Sequence, residues 1–198
     1  MTLDIYQRIT DFTVPQRPTP WLMDVDGVLN AIGKHRTNDW PEWTDVRVKL
    51  GSSGGSFPIT YAPGLIRALN AMIERNIVDL MWLTTWEKHA ARWLSPAIGL
   101  NAADARVLPD RWKKMYGHRI DDWWKARQAK ATFHKLGAPM VWTDDDLAMY
   151  DYPIKDSGML AISPIEDAGL TPAHLHSILD HIAQHTESRH DEEHGQAG

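Results

Sequence analysis

Two kinds of hydrophobic pattern alternate along this chain, and their order constrains the fold more than any other feature. Residues 77–85, IVDLMWLTT, form a nearly continuous apolar run of strand length, which is typical of a parallel strand covered on both faces. The preceding segment, 63–76, repeats apolar residues at helical spacing after Pro63. Because strand and helix patterns continue to alternate, the sequence predicts an α/β fold, a three-layer sandwich around a mostly parallel sheet.

The other patterned segments extend this alternation over most of the chain. Further strands are predicted at 20–25, 105–109, 138–146 and 158–163, and further helices at 86–99, ending near Pro96, at 121–137 and at 169–185. Residues 30–60 read as a flap or hairpin insertion with a glycine-rich tip, GSSGGS. We therefore expect a single domain over residues 1–186 and a disordered tail over 187–198.

The composition excludes several classes of function. The chain of 198 residues carries a formal net charge of −5 and no cysteine, so disulfides, thiolate metal sites and cysteine nucleophiles are excluded. No apolar run approaches the roughly 18–20 residues of a membrane span, and the polar N-terminal residues show no signal-peptide pattern. The expectation is a cytoplasmic protein with no membrane association and no obligate protein partner evident.

Acidic and hydroxyl residues follow the predicted strands. The strand ends carry Asp24 and Asp26, then Thr84 and Thr85, then Asp144, Asp145 and Asp146. Because ligands bind beyond the carboxyl ends of such strands, we expect these side chains to meet at one edge of the sheet. Clustered carboxylates stay ionised only if a cation joins them, and Mg²⁺ binds one or two carboxylates together with a substrate phosphate. The sequence therefore predicts a site for Mg²⁺ and phosphate.

The acidic, hydroxyl and lysine residues, in this order along the chain, resemble the motifs of the haloacid dehalogenase-type (HAD) phosphohydrolase superfamily. The corresponding motifs are DVDGV, LMWLTTW, the lysine of DDWWKAR, and MVWTDDD, within residues 18–180. WLTTW, WWK, VWTDDD and GLTPAHL are also similar to a phage and actinobacterial branch of HAD-like domains, some of which are attached to nucleic-acid repair proteins. The resemblance implies a Rossmann-like, HAD-like core, and the short insertions imply a minimal cap.

The resemblance also implies catalytic roles. Asp24 would be the nucleophile that attacks phosphorus and becomes a phospho-aspartate. Asp26 would protonate the leaving group and then activate water to hydrolyse the intermediate. Thr84 would hydrogen-bond to the phosphoryl oxygens, and Lys125 would neutralise their charge. The second aspartate favours phosphoryl chemistry, because the dehalogenase branch lacks it.

Three assignments leave alternatives open: the metal-ligating acids, the threonine and the lysine. The resemblance implies that Asp144 and Asp24 bind Mg²⁺ with the backbone carbonyl of Asp26, while Asp145 ligates or orients. The ligating pair within Asp144, Asp145 and Asp146 is uncertain by one position. Thr85 competes with Thr84, and Lys130 competes with Lys125. Thr85, Lys130 and Trp86, an aromatic residue suited to base stacking, are also candidates for substrate binding.

The insertions and the local charge bear on the substrate. Neither the segment 30–60 nor the segment between Thr84 and Lys125 is long enough for a full cap domain, so an open site could admit a large substrate. From Arg106 to Lys130, eight basic residues stand against three acids, a local charge of +5, with Trp112, Trp123 and Trp124 among them. Such a stretch fits a groove that binds the end of a nucleic acid. It fits equally a helix whose charges are solvated and whose tryptophans pack in the core.

The expected function is a Mg²⁺-dependent phosphatase, a phosphoric monoester hydrolase acting on nucleic-acid ends or nucleotides. A phosphatase of small metabolites is one alternative. A non-catalytic HAD-like module that binds phosphate or metal is the other. Turnover of a phosphate ester distinguishes the enzymes from the binding module, and the preferred substrate distinguishes the two enzymes.

Overall fold

A computed structural model of the chain describes residues 2–33, 36–52, 54–110, 123–148 and 158–195. The strands are Thr19–Met23 (β1), Thr44–Lys49 (β2), Ser56–Tyr61 (β3), Val78–Trp82 (β4), Arg106–Val107 (β5), Met140–Thr143 (β6) and Met159–Ile162 (β7). The α-helices are Thr2–Asp11 (α1), Pro63–Glu74 (α2), Ser95–Ile98 (α3), Trp124–Leu136 (α4) and Pro172–Gly195 (α5). A π-helix, Ala90–Leu94, runs into α3, and a 3₁₀ turn, Asp145–Ala148, follows β6.

Five of these strands form one parallel sheet, in the order β5-β4-β1-β6-β7. Alternate residues of the central strands face opposite layers: Trp21 and Trp82 pack with α1, α2 and α5, whereas Leu22 and Trp142 pack with α4. Because both faces are covered, the central strands are mostly apolar rather than alternating with polar residues. The prediction of an α/β sandwich with a mostly parallel sheet is therefore confirmed.

The remaining two strands form a separate antiparallel hairpin. β2 pairs with β3 from Thr44 opposite Tyr61 to Lys49 opposite Ser56. This hairpin lies in the segment that the sequence marks as a flap or hairpin, and its turn coincides with the glycine-rich tip. The backbone N–H of Ala31 donates to the carbonyl of Thr60 at 2.8 Å, so the hairpin is attached to the chain that leaves β1.

The helices differ from the prediction in three places. Helix α1 was not predicted from the sequence; it buries Ile5 and Ile9 one helical turn apart. The expected end of a helix near Pro96 is wrong, because Pro96 lies in the first turn of α3, where its missing N–H is not needed. The last helix ends at Gly195, ten residues beyond the end predicted at 185; between Pro172 and Gly195 no proline or glycine interrupts it.

Several predictions lie outside the described residues. Asp121 and Asp122, expected near the start of α4, are among them, as are half of the eight basic residues counted between 106 and 130. α4 ends at Leu136, one residue before the predicted end at 137, and α5 starts at Pro172, three residues after the predicted start at 169. Among the described helices, none combines the length and the apolar character that a membrane span requires.

Candidate active site

The register of the three central strands brings their carboxyl ends together at one edge of the sheet. Met23, the last residue of β1, lies opposite Trp82 of β4 and Thr143 of β6. The residues that follow are therefore neighbours, and the backbone N–H of Asp24 donates to the carbonyl of Thr143 at 3.1 Å. Asp144 comes directly after β6, next to Asp24. Parallel pairing of three apolar strands thus forces two carboxylates together.

Lys125 joins these two carboxylates from the first turn of α4. Its Nζ lies 2.6 Å from Oδ2 of Asp24 and 2.9 Å from Oδ2 of Asp144. All three side chains are buried, and Lys125 is only 2% exposed. Two charge-assisted hydrogen bonds compensate in part for the desolvation of the ammonium group. A lysine buried in this way is fixed by its partners, unlike a solvated helix lysine.

A third carboxylate and a hydroxyl complete the cluster. Carboxylate oxygens of Asp24, Asp144 and Asp145 lie within 4.8 Å of one another. The Thr84 hydroxyl lies near Asp24, whose ionised form it favours, and it accepts a hydrogen bond from the backbone N–H of Trp86 at 3.2 Å. Three carboxylates against one ammonium leave an excess of two negative charges when all are ionised. Oxygen donors with this charge fit a hard divalent cation such as Mg²⁺.

The ionisation of the cluster reflects its burial. Burial raises the pKa of Asp24, although Lys125 and Thr84 partly oppose this effect. Burial and then the charge of Asp24 raise the pKa of Asp144 to about 7, and the same two causes raise the pKa of Asp145 to about 6. Burial alone would lower the pKa of Lys125, but Asp24 and Asp144 raise it above its usual value. The cluster therefore attracts positive charge, as a proton or as a cation.

Asp26 points to a different set of partners. Its Oδ1 accepts a hydrogen bond from Asn30 Nδ2 at 2.7 Å, and its Oδ2 accepts one from Trp86 Nε1 at 2.9 Å. Asn30 also accepts a hydrogen bond from the backbone N–H of Thr60 at 2.8 Å, so it connects this loop to β3. With one donor on each oxygen, the carboxylate of Asp26 has a defined orientation beside the cluster.

Gly27 allows the first loop to approach the third carboxylate. It has a φ of +66°, and a Cβ at this position would lie 2.2 Å from Cγ of Asp145. Both the left-handed backbone and the absence of space favour glycine here. The motif DVDG therefore includes the residue that lets Asp145 lie against the loop after β1.

The structure separates the alternatives that the sequence left open. Thr84 is buried and lowers the pKa of Asp24, whereas Thr85 is exposed. Lys130 is exposed and is not brought to the cluster, because residues five positions apart on a helix point about 140° apart. Among the described residues, Asp146 is outside the group of close carboxylates, and its backbone N–H donates to Asp144 at 3.2 Å.

The sequence reasoning missed three residues near Asp26. Asn30 follows Asp26 by four positions. The one sequence signal for it is that a polar residue ends an apolar run at this position. Phe57 of β3 and His89 line a pocket together with Asp26, Thr85 and Trp86. No local signal identifies Phe57 or His89, because their position depends on how the hairpin and the loop after β4 fold against the sheet.

Comparison with known proteins identified no relative of this chain. No protein-family model matches the chain, and searches of curated proteins and of solved structures gave no significant match. The fold and the site define an α/β protein with a buried acidic cluster at the carboxyl edge of a parallel sheet, where a metal ion could be held.

Proposed function

We propose that this protein is a Mg²⁺-dependent phosphatase that works through a phospho-aspartate on Asp24. The observation that carries the proposal is the buried contact of Lys125 with both Asp24 and Asp144, next to Asp145 and Thr84. A lysine, a hydroxyl and clustered carboxylates can together bind a dianionic phosphoryl group and its counter-ion. The resemblance of the four motifs to HAD phosphohydrolases supports the same chemistry.

The carboxylates of Asp24, Asp144 and Asp145 would hold Mg²⁺, together with the backbone carbonyl of Asp26. The bound ion would neutralise charge on Asp24 and on the phosphoryl oxygens. Lys125 and Thr84 would hold the other phosphoryl oxygens, since both already lie against the carboxylate of Asp24. The chain's own residues thus place the ester in front of a carboxylate oxygen.

In the first step, a carboxylate oxygen of Asp24 forms a bond to phosphorus, and the bond from phosphorus to the ester oxygen breaks. Asp26, in its protonated form, gives its proton to that oxygen, so the alcohol leaves as a neutral molecule. The orientation of Asp26 by Asn30 and Trp86 suits this role, because the two hydrogen bonds fix where the proton is delivered. The products of this step are the alcohol and an acyl phosphate on Asp24.

In the second step, Asp26 is a carboxylate and removes a proton from water. The water oxygen forms a bond to phosphorus, and the bond between phosphorus and the Asp24 oxygen breaks. Inorganic phosphate leaves, Asp24 is again a carboxylate, and Asp26 again carries a proton. The substrate class we propose is a phosphate monoester of a nucleotide or of a nucleic-acid end.

Release of phosphate from an aryl phosphate tests the proposal. We expect turnover with Mg²⁺ and loss of turnover when a chelator removes the ion, because three carboxylates then repel the incoming phosphoryl group. If the aryl phosphate is inert, the test extends to mononucleotides and to 3′- and 5′-phosphorylated oligonucleotides. Failure with every ester would contradict the phosphatase and would support a binding module that lacks turnover.

A further inference from the structure

A pocket of about 310 Å³ opens beside Asp26. Three parts of the chain line it: the loop after β1 with Asp26 and Asn30, the β2–β3 hairpin with Phe57, and the loop after β4 with Thr85, Trp86 and His89. Its volume is near the lower end of the range of about 300–1,000 Å³ found for small-molecule sites. The pocket can therefore hold one compact group rather than a long polymer segment.

Two aromatic side chains form a wall of this pocket. Phe57 and Trp86 have ring centroids 5.4 Å apart and planes inclined at 60°, an edge-to-face arrangement. This arrangement leaves at least one face of each ring uncovered by the other. Phe57 is 42% exposed, although it is a large apolar residue. Exposed aromatic faces at a pocket suit a flat ligand that can stack on them.

The pocket also offers polar groups around this wall. His89 lines the pocket and is partly buried. A histidine nitrogen is either a donor or an acceptor, according to its tautomer, so it can match either kind of group on a ligand. The exposed hydroxyl of Thr85 provides a second polar group. A purely hydrocarbon ligand would leave these groups unsatisfied.

Trp86 connects this pocket to Asp26, the proposed proton donor. Its indole N–H donates to Oδ2 of Asp26 at 2.9 Å, while its ring lines the pocket. In the proposed reaction, Asp26 protonates the oxygen of the leaving group. The pocket therefore begins where the leaving group would lie, so it can determine which alcohol the enzyme releases.

We infer that the pocket binds the base of a nucleoside whose phosphate lies over Asp24, with the base stacked on Phe57 and Trp86 and its polar edge near His89. This inference rests on the proposed phosphatase function and specifies its substrate. A nucleobase combines a flat aromatic face with donors and acceptors on its edge, which matches the lining of the pocket. The nucleoside belongs to a free mononucleotide or to the terminal nucleotide of a nucleic acid.

Selectivity for the base provides the test. We would measure kcat/KM for adenosine 5′- and 3′-monophosphate, for ribose 5-phosphate and for a phosphorylated oligonucleotide. The wild-type protein should prefer a nucleotide to ribose 5-phosphate by about tenfold or more, since stacking of one base contributes on that order. Phe57→Leu should reduce this ratio by about tenfold. Phe12→Leu is the matched control, because Phe12 does not line the pocket, and it should leave the ratio unchanged.

The possible results distinguish failure of the base-pocket inference from failure of the phosphatase proposal. Hydrolysis of ribose 5-phosphate as efficient as that of both nucleotides, or equal ratios for the wild type and Phe57→Leu, would overturn the base pocket and leave the phosphatase intact. Binding of adenosine, which carries no phosphate, in the presence of chelator, measured by tryptophan fluorescence, provides a second readout. Base-selective binding without phosphate release from any ester would instead overturn the phosphatase. Comparison of the mononucleotide with the oligonucleotide identifies the source of the nucleoside.

Discussion

Replacement of Asp24 by asparagine is expected to lower Mg²⁺-dependent phosphate release by at least about a thousandfold. The amide has nearly the size of the carboxylate but lacks its charge, so it is a poor nucleophile and a weaker metal ligand. The side chain of Lys125 keeps its contact with Asp144 at 2.9 Å, so the fold should remain. Phosphate release measures the loss of activity. The far-ultraviolet circular dichroism of the same preparations measures whether the fold remains.

Asp79→Asn provides the matched control for this substitution. Asp79 is an exposed aspartate in the neighbouring strand β4, so the same chemical change should leave phosphate release within about twofold of the wild type. Turnover by Asp24→Asn at more than a tenth of the wild-type rate would mean that a different group attacks phosphorus.

Replacement of Lys125 by methionine is expected to reduce the free energy of unfolding by about 3–5 kcal/mol in the presence of chelator. The substitution keeps a long side chain but leaves the buried carboxylates of Asp24 and Asp144 without their shared cation. Lys125 opposes the rise that burial causes in the pKa of both carboxyl groups, so both pKa values should rise further without it. At low pH the two groups can then take up protons, whereas at high pH they stay charged and unpaired in the folded state. The loss should therefore be larger at pH 8 than at pH 5. Urea unfolding at both pH values measures it.

Lys130→Met is the control on the same helix. Lys130 is exposed, so removal of its charge should change the free energy of unfolding by less than about 0.5 kcal/mol. Equal effects of the two substitutions would mean that the buried contacts of Lys125 contribute nothing specific. Addition of Mg²⁺ should restore part of the stability of Lys125→Met, because the ion supplies positive charge to the same carboxylates.

The sequence was sufficient to predict the centre of the fold and the segments that form the cluster, although it left open which threonine, which lysine and which acids take part. Continuous apolar strands imply a parallel sheet, and a parallel sheet brings the residues after its strands to one edge. Asp24, Thr84 and Asp144 follow three adjacent strands, so their proximity is a consequence of topology. The position of Lys125, near the start of a helix between two strands, made its contact with the cluster foreseeable.

The surroundings of Asp26 could not be predicted in the same way. The indole of Trp86 reaches Asp26 across 60 positions of sequence, and Phe57 comes from a hairpin outside the main sheet. Such contacts depend on how loops fold over the sheet edge, and no local pattern encodes that geometry. The π-helix after His89 was also beyond prediction, since its residues fit an ordinary helical pattern equally well.

The measurement that tests the central claim most directly is rapid-mixing kinetics of Asp26→Asn with p-nitrophenyl phosphate and Mg²⁺. Nitrophenolate leaves without a proton donor, so phosphoryl transfer to Asp24 should proceed. Hydrolysis of the phospho-aspartate should be slow, because no carboxylate activates the water. The account predicts a burst of about one nitrophenolate per protein molecule, followed by slow turnover. Slow release without a burst, or a burst that persists when Asp24 is also replaced by asparagine, would contradict it.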